Sequence, residues 1–286
     1  MSAAVGDPRV AVASAAVLPS PTARAVRAGA GVPWRRVLVR ALSVLAALLL
    51  WQVASAHQLG FIVNFKNIPT PVVVARQFIE ELSARPFYLH VAVSLRRIAI
   101  SFALATGLGV AAGVLMGRSR LANDLITPHL ETLRPIPAVA WIPLAILMFP
   151  TEESSIVYIT FLGAFFPIVL NTVHGVQQTP ETLVRVARSF GAGGLTILRH
   201  VVLPSALPSI LAGLAIGMGV AWFSLLAGEI ISGQYGIGYY TWNSYTLVQY
   251  PQIIVGMLTI GALGTASTWL VRKASRPLLR WQQEHD

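Results

Sequence analysis

The chain has 286 residues, 55% hydrophobic and only 11% charged, with a formal net charge of +10 and no cysteine. Soluble domains hold roughly 25% charged residues, so a chain this apolar cannot cover a water-facing surface, and the bilayer is the solvent that suits it. The missing cysteines exclude disulfides, thiolate metal sites and cysteine nucleophiles. The basic residues sit at the ends of apolar runs and form no stripe interleaved with aromatics, which argues against nucleic acid as a partner.

Residues 1–36 are rich in Ala, Val, Pro and Arg, lack a sustained 3.6-residue period, and read as a mobile cytoplasmic tail ahead of a membrane domain over 37–286. The run Val37–Ala56 is about 20 residues, enough to cross a hydrocarbon core. Ala54-Ser55-Ala56 has the form of a signal-peptide cleavage site. Signal h-regions, however, run only about 7–15 residues behind a shorter n-region, so an uncleaved spanning helix is expected. Thr70-Pro71 opens a short helix, with Thr70 as N-cap and Pro71 in the first turn. Val74, Phe78 and Leu82 fall one turn apart, opposite Arg76, Glu80 and Glu81, as in an amphipathic helix lying on the membrane surface.

Four or five further spans follow. Ile98–Gly117 is rich in small residues, with Gly107, Gly109 and Gly113 permitting close helix contact. Ile136–Phe149 is short and interrupted by Pro137 and Pro143, so it reads as a broken helix surrounded by protein or a cavity. Ile156–Val173, Ile210–Leu226 and Ile253–Val271 complete the set. The expected fold is an all-α polytopic membrane protein of about six transmembrane helices, or five if the proline-rich segment does not cross. Arg35, Arg36, Arg118, Arg120, Arg134, Arg185, Arg188, Arg199, Arg272 and Lys273 then fall on one side, and both termini are expected to be cytoplasmic.

The longest interior hydrophilic stretch is Gln177–Leu203, on the predicted cytoplasmic side. Thr179-Pro180-Glu181 has the form of a helix start: capping hydroxyl, proline at the first position, acid at the positive dipole end. Leu183, Val186, Ala187 and Phe190 mark one face. Gly191 and Gly193-Gly194 break the helix, and a second short helix is expected over Leu195–Val202, stopped by Leu203-Pro204. Such a helix–turn–helix outside the membrane is a rigid surface for another molecule to grip.

Here the sequence resembles the permeases of binding-protein-dependent ATP-binding-cassette importers. Their cytoplasmic coupling loop carries E-A-A-x3-G-x9-I-x-L-P. Over residues 178–204 this chain reads Arg185-Val186-Ala187, Gly191, Val201, Leu203 and Pro204 with every spacing kept. Arg185 stands where the family has Glu, and Glu181 lies one turn earlier, at the i,i+4 spacing of a pair. Pro69-Thr70-Pro71, Ser94-Leu95-Arg96-Arg97, Leu133-Arg134-Pro135-Ile136-Pro137, Trp141-Ile142-Pro143-Leu144 and Gly236-Ile237-Gly238 resemble the nitrate, sulfonate and taurine branch.

The resemblance implies a transport subunit rather than an enzyme. A second permease copy pairs with it as a homodimer, two ATPase subunits hold ATP and its magnesium, and an external solute-binding protein delivers a small anion. Glu181, Arg185, Val186, Ala187, Gly191, Val201, Leu203 and Pro204 would couple the permease to the ATPase. The chain itself has no phosphate-cradling G-x4-G-K run, since Lys66 and Lys273 are its only lysines.

Other candidates keep two readings each. Glu229 either lines a pathway or sits in the headgroup zone at a helix end. Asn171 lines the path or bonds to a neighbouring helix. Trp141 and Trp222 shape a gate or anchor helices at the interface. Tyr239, Tyr240 and Trp242, in a predicted outer loop, dock the binding protein or form part of an aromatic belt. The six histidines are dispersed without metal-site spacing, so no metal is assigned. A stand-alone transporter driven by an ion gradient is the rival reading. It would want membrane-embedded ionisable groups and inverted repeats, and neither is evident.

Overall fold

The computed structural model describes residues 34–60 and 64–282. The tail expected over residues 1–36 therefore lies outside the described residues up to position 33. The chain divides into two compact units, Met1–Ala47 and Leu48–Asp286. The first is described only from Trp34, as the beginning of a helix α1 (Trp34–Ala56) that takes in Arg35 and Arg36. No β-strand forms among the described residues, and the all-α expectation holds.

In the second unit α2 (Pro71–Glu81) begins as expected, Thr70 Oγ1 accepting from the Val73 N–H. Val74 is buried and Phe78 packs beside it in a cluster with Phe87, Ile237 and Val255. The apolar edge expected to rest on lipid is thus covered by protein, while Leu82 stays exposed at the C-cap.

The core is three long helices: α3 (Arg85–Arg118), α6 (Glu152–Gln177) and α9 (Leu203–Ser232), with α6 packed against both others. Small residues make the close approach possible. A Cβ on Gly109, Gly113 or Gly117 would collide with Ile168, Thr172 or Val176 of α6, while Gly107 faces open space. Gly163 and Gly175 of α6, and Gly213 and Gly217 of α9, do the same at the second interface. Around this core lie α10 (Ile237–Thr246) and α11 (Tyr250–Ser275). The expected outer loop after Gly238 is therefore a helix.

A helix that the hydropathy pattern hides is α4 (Arg120–Leu133), capped by Ser119, whose Oγ accepts from the Ala122 N–H at 3.2 Å. Its Asn123, Asp124, His129 and Glu131 break the apolar run. After the proline-rich turn come a 3-10 turn (Ala138–Trp141) and α5 (Ile142–Met148), bent from α4 by 88°.

Whether this bent pair crosses follows from the ends of the core helices. From Arg97 to Arg118 is about 32 Å along α3, one hydrocarbon thickness. Glu153, at the start of α6, bonds to Arg96 and Arg97. Gln177, at the far end of α6, lines a cavity with Arg118. The segment between α3 and α6 thus starts at one end of the bundle and finishes at the other. With the five helices long and apolar enough to cross a membrane, the bent pair makes up to six candidate spans among the described residues.

Candidate functional site

Residues 178–205 form a helical corner at the Arg118 end of the bundle. Helix α7 (Glu181–Ser189) has Pro180 at its N-cap position; the Leu183 N–H bonds to the Pro180 carbonyl. The expected Thr179 cap does not form: its Oγ1 is buried with no hydrogen-bond partner. The expected i,i+4 pair does form, Arg185 Nη2 donating to Glu181 Oε2 at 2.7 Å. That guanidinium holds the Glu181 carboxyl below its usual range.

The helix ends in a Schellman turn. The Ala192 N–H reaches back to the Ala187 carbonyl at 3.0 Å and the Gly191 N–H to Arg188 at 2.9 Å. Gly191 takes φ +79°, a left-handed conformation that costs other residues roughly 1–2 kcal/mol. This is the physical content of the glycine in the coupling pattern.

The second helix does not stop at Leu203-Pro204. The short α8 (Gly194–Ile197) runs through a π turn over Leu198–Val202 directly into α9. Pro204 has no N–H to give His200, and the widened turn absorbs the missing bond, the Leu203 N–H reaching Leu198 instead.

The corner is anchored from beneath. Val184, Ala187, Ala192 and Val201 pack on a cluster of Val176, Ile197, Val202, Ala206 and Ile210. On its outward side Phe190 is 87% exposed and Leu195 79%, with Leu183 and Val186 beside them. A hollow of about 360 Å³ lined by Leu183, Val186, Ala187, Val201 and Pro204 opens next to this ridge. All eight predicted coupling residues thus lie on one corner.

At the other end of the bundle is a buried polar network that links residues far apart in sequence. Glu229 of α9 is fully buried. It accepts from Arg97 Nη1 at 3.0 Å, from Ser94 Oγ at 2.7 Å and from the Gly238 N–H at 2.9 Å. Arg97 also donates to Glu153 through Nε and Nη2, and to the Tyr235 carbonyl at 2.6 Å. The Ile237 N–H donates to Ser94 Oγ and the Gly236 N–H to His90 Nδ1. Gly236-Ile237-Gly238 therefore turns its N–H groups onto α3 and the Glu229 carboxylate. Glu229 is thus a buried carboxylate held by an arginine. The Ser94–Arg97 motif, Glu229 and Gly236-Ile237-Gly238 are each visible in the sequence; their pairing across more than 130 positions is not.

Of the remaining candidates, Tyr239 and Tyr240 border the polar network through His90, and the others lie apart from both clusters. Asn171 Nδ2 bonds to the Pro167 carbonyl of its own helix, and its side chain abuts Gly213 of α9. Trp222 is buried in the main core with Ile98, Ala105, Ile156 and Leu225. Trp141 lines an apolar cavity of about 380 Å³ with Arg134, Gly163, Phe166, Val220 and Phe223. Tyr240 packs edge-on to Phe87 and Tyr239 stacks near His90, whereas Trp242 is exposed beside Tyr245. Among the described residues, no group of three His, Asp or Glu stands close enough to hold a metal.

Residues 105–278 match the family model of the binding-protein-dependent transport system inner membrane component. The chain is 32% identical to the putative aliphatic sulfonates transport permease of Bacillus subtilis, over 96% of this chain and 98% of the other. It is 30% identical to the nitrate import permease of Synechocystis sp., covering 80% and 84%. Identity to the bicarbonate transport system permease of Synechococcus elongatus is 31%, covering 86% and 92%. Its fold is similar to that of a chain of the MetNI methionine ABC transporter in an inward-facing conformation. The TM-score is 0.54 at 21% identity, over 67% of this chain and 93% of that one. The chain belongs to the binding-protein-dependent inner membrane components, as a permease subunit of an ATP-binding-cassette importer in the nitrate, sulfonate and bicarbonate branch.

Proposed function

We propose that this permease pairs with a second copy of itself to form the path for a small anion, of the nitrate, sulfonate, taurine or bicarbonate kind. Two partner ATPases, holding ATP and magnesium, drive it from the cytoplasm, and an external binding protein delivers the solute. The anion assignment is supported by the relatives named above, which are designated for different anions. The observation that carries the coupling role is the exposed apolar ridge of Leu183, Val186, Phe190 and Leu195 on a corner fixed by the Schellman turn. Apolar side chains presented to water on a rigid support mark a protein interface. Arg185 is turned along its own helix to Glu181, so the apolar ridge carries the contact in place of a glutamate at that position. Trp242 and Tyr245, exposed on α10, are the surface on which the binding protein would dock.

Phe190→Asp tests the coupling role. Because the side chain is solvent-facing, the variant should fold and melt like the parent. The partner ATPase should no longer co-purify, and ATP hydrolysis should lose its stimulation by solute-loaded binding protein. Retention of the ATPase at parental stoichiometry would refute the interface.

A further inference from the structure

A second cavity, of about 480 Å³, lies on the opposite side of α7 from the apolar hollow, between the α3–α4 corner and the end of α6. Arg118 and Arg120 enter it from the corner, and Arg185 and Arg188 from α7; Asp124 and Glu181 are its acids. Of these four arginines, only Arg185 makes an ion pair among the described residues, to Glu181. Arg120 and Arg188 also lie within electrostatic reach of Glu181, so the concavity sets four guanidiniums against two carboxylates and keeps an excess of positive charge. The neutral groups present are suited to an anion. Thr179 is among the lining residues. Asn123 accepts from Thr127 through its Oδ1, leaving its amide N–H groups to donate.

We propose that this cavity binds a multi-oxygen anion of the phosphate type, bridging the α3–α4 corner and α7. Planar guanidiniums offer paired N–H donors that match such an anion, and hydrogen bonds between charged groups are roughly twice as strong as neutral ones. Arg118 lies one hydrocarbon thickness from Arg97, at the membrane boundary, where the anion can be either a free oxyanion or the phosphate of an anionic lipid headgroup, one without the choline cation that balances it in phosphatidylcholine. The bound group would tie α7 to the membrane core from the side that the apolar ridge does not use. The site stands on its own geometry, whether or not the ridge meets an ATPase.

The test uses the full chain in phosphatidylcholine nanodiscs and follows hydrogen exchange at residues 117–124 and 178–189. Either inorganic phosphate is added, or one third of the lipid is replaced by phosphatidylglycerol. Protection by phosphate identifies a free oxyanion, protection by phosphatidylglycerol alone identifies a headgroup, and either supports the site. Arg120→Gln with Arg188→Gln should weaken the effect by at least about tenfold, the scale of a lost charged hydrogen bond. The single variant Arg188→Gln, on an exposed helix face, serves if the double variant melts early. Absence of protection by both additions, or equal protection in the arginine variants, would overturn the proposal.

Discussion

Gly236 takes φ +119°, and a Cβ there would overlap the Glu229 carboxylate. Both facts demand glycine, because the turn must bring its N–H groups onto α3 and the buried acid. Gly236→Ala should therefore cost about 3 kcal/mol or more, the scale of combined backbone strain and a broken buried network. Gly219→Ala, in α9 with open space around it, should be neutral or stabilising by up to ~1 kcal/mol. Thermal unfolding of the two variants in the same detergent reads the contrast, and equal melting temperatures would discredit the network as a structural unit. At this scale the sequence was partly legible. Gly236, Gly238, Ser94, Arg97 and Glu229 all lay in recognisable motifs, but nothing local pairs a serine and arginine on one helix with an acid more than 130 positions away. Hydropathy alone cannot tell a buried, paired charge such as Arg97 from a solvated one.

The elements were legible where a single physical signal governed them. Thr70-Pro71 started α2, and Gly191 ended α7, because capping chemistry is local. Helix α4 escaped because its polar residues mask a run that is helical by capping and context rather than by hydropathy. The π turn escaped because Leu203-Pro204 ordinarily marks a stop, and only the fold reveals that the chain widens by one residue and continues. That widening suggests a role. A π turn holds one extra residue, so removing it rotates everything upstream by about 100° relative to α9. Pro204→Ala restores the N–H that the turn lacks and permits a regular helix. The variant should be at least as stable as the parent. Stimulated ATP hydrolysis should nevertheless fall, because α7 and the Phe190 ridge would be presented in the wrong direction. Unaltered coupling in a Pro204→Ala protein would mean that the corner's orientation does not depend on the π turn.

For the molecule as a whole, the connectivity of charges fixes which ends of the helices share a side. The Arg97–Glu153–Glu229 network joins the level of α3 at Arg97, the start of α6 and the end of α9. The basic cavity joins the end of α3, the end of α6 and the start of α7. Five or six spans stay possible from the sequence because α4 and α5 are separately too short and too interrupted to count; in the bundle the pair starts at the Arg118 end and finishes at the Arg97 end. By the positive-inside rule, the excess of arginine at the Arg118 end predicts that this end faces the cytoplasm. The chain has no cysteine, so single thiols can be introduced without altering a native one. Leu121→Cys and Thr182→Cys should react with a membrane-impermeant maleimide only after the cells are opened. Glu152→Cys and Thr246→Cys should react from outside in intact spheroplasts. Labelling of Leu121→Cys and Glu152→Cys from the same side would make the α4–α5 pair a re-entrant loop. Reversal of all four would keep the six crossings but put the coupling corner outside the cell, where no ATPase could reach it.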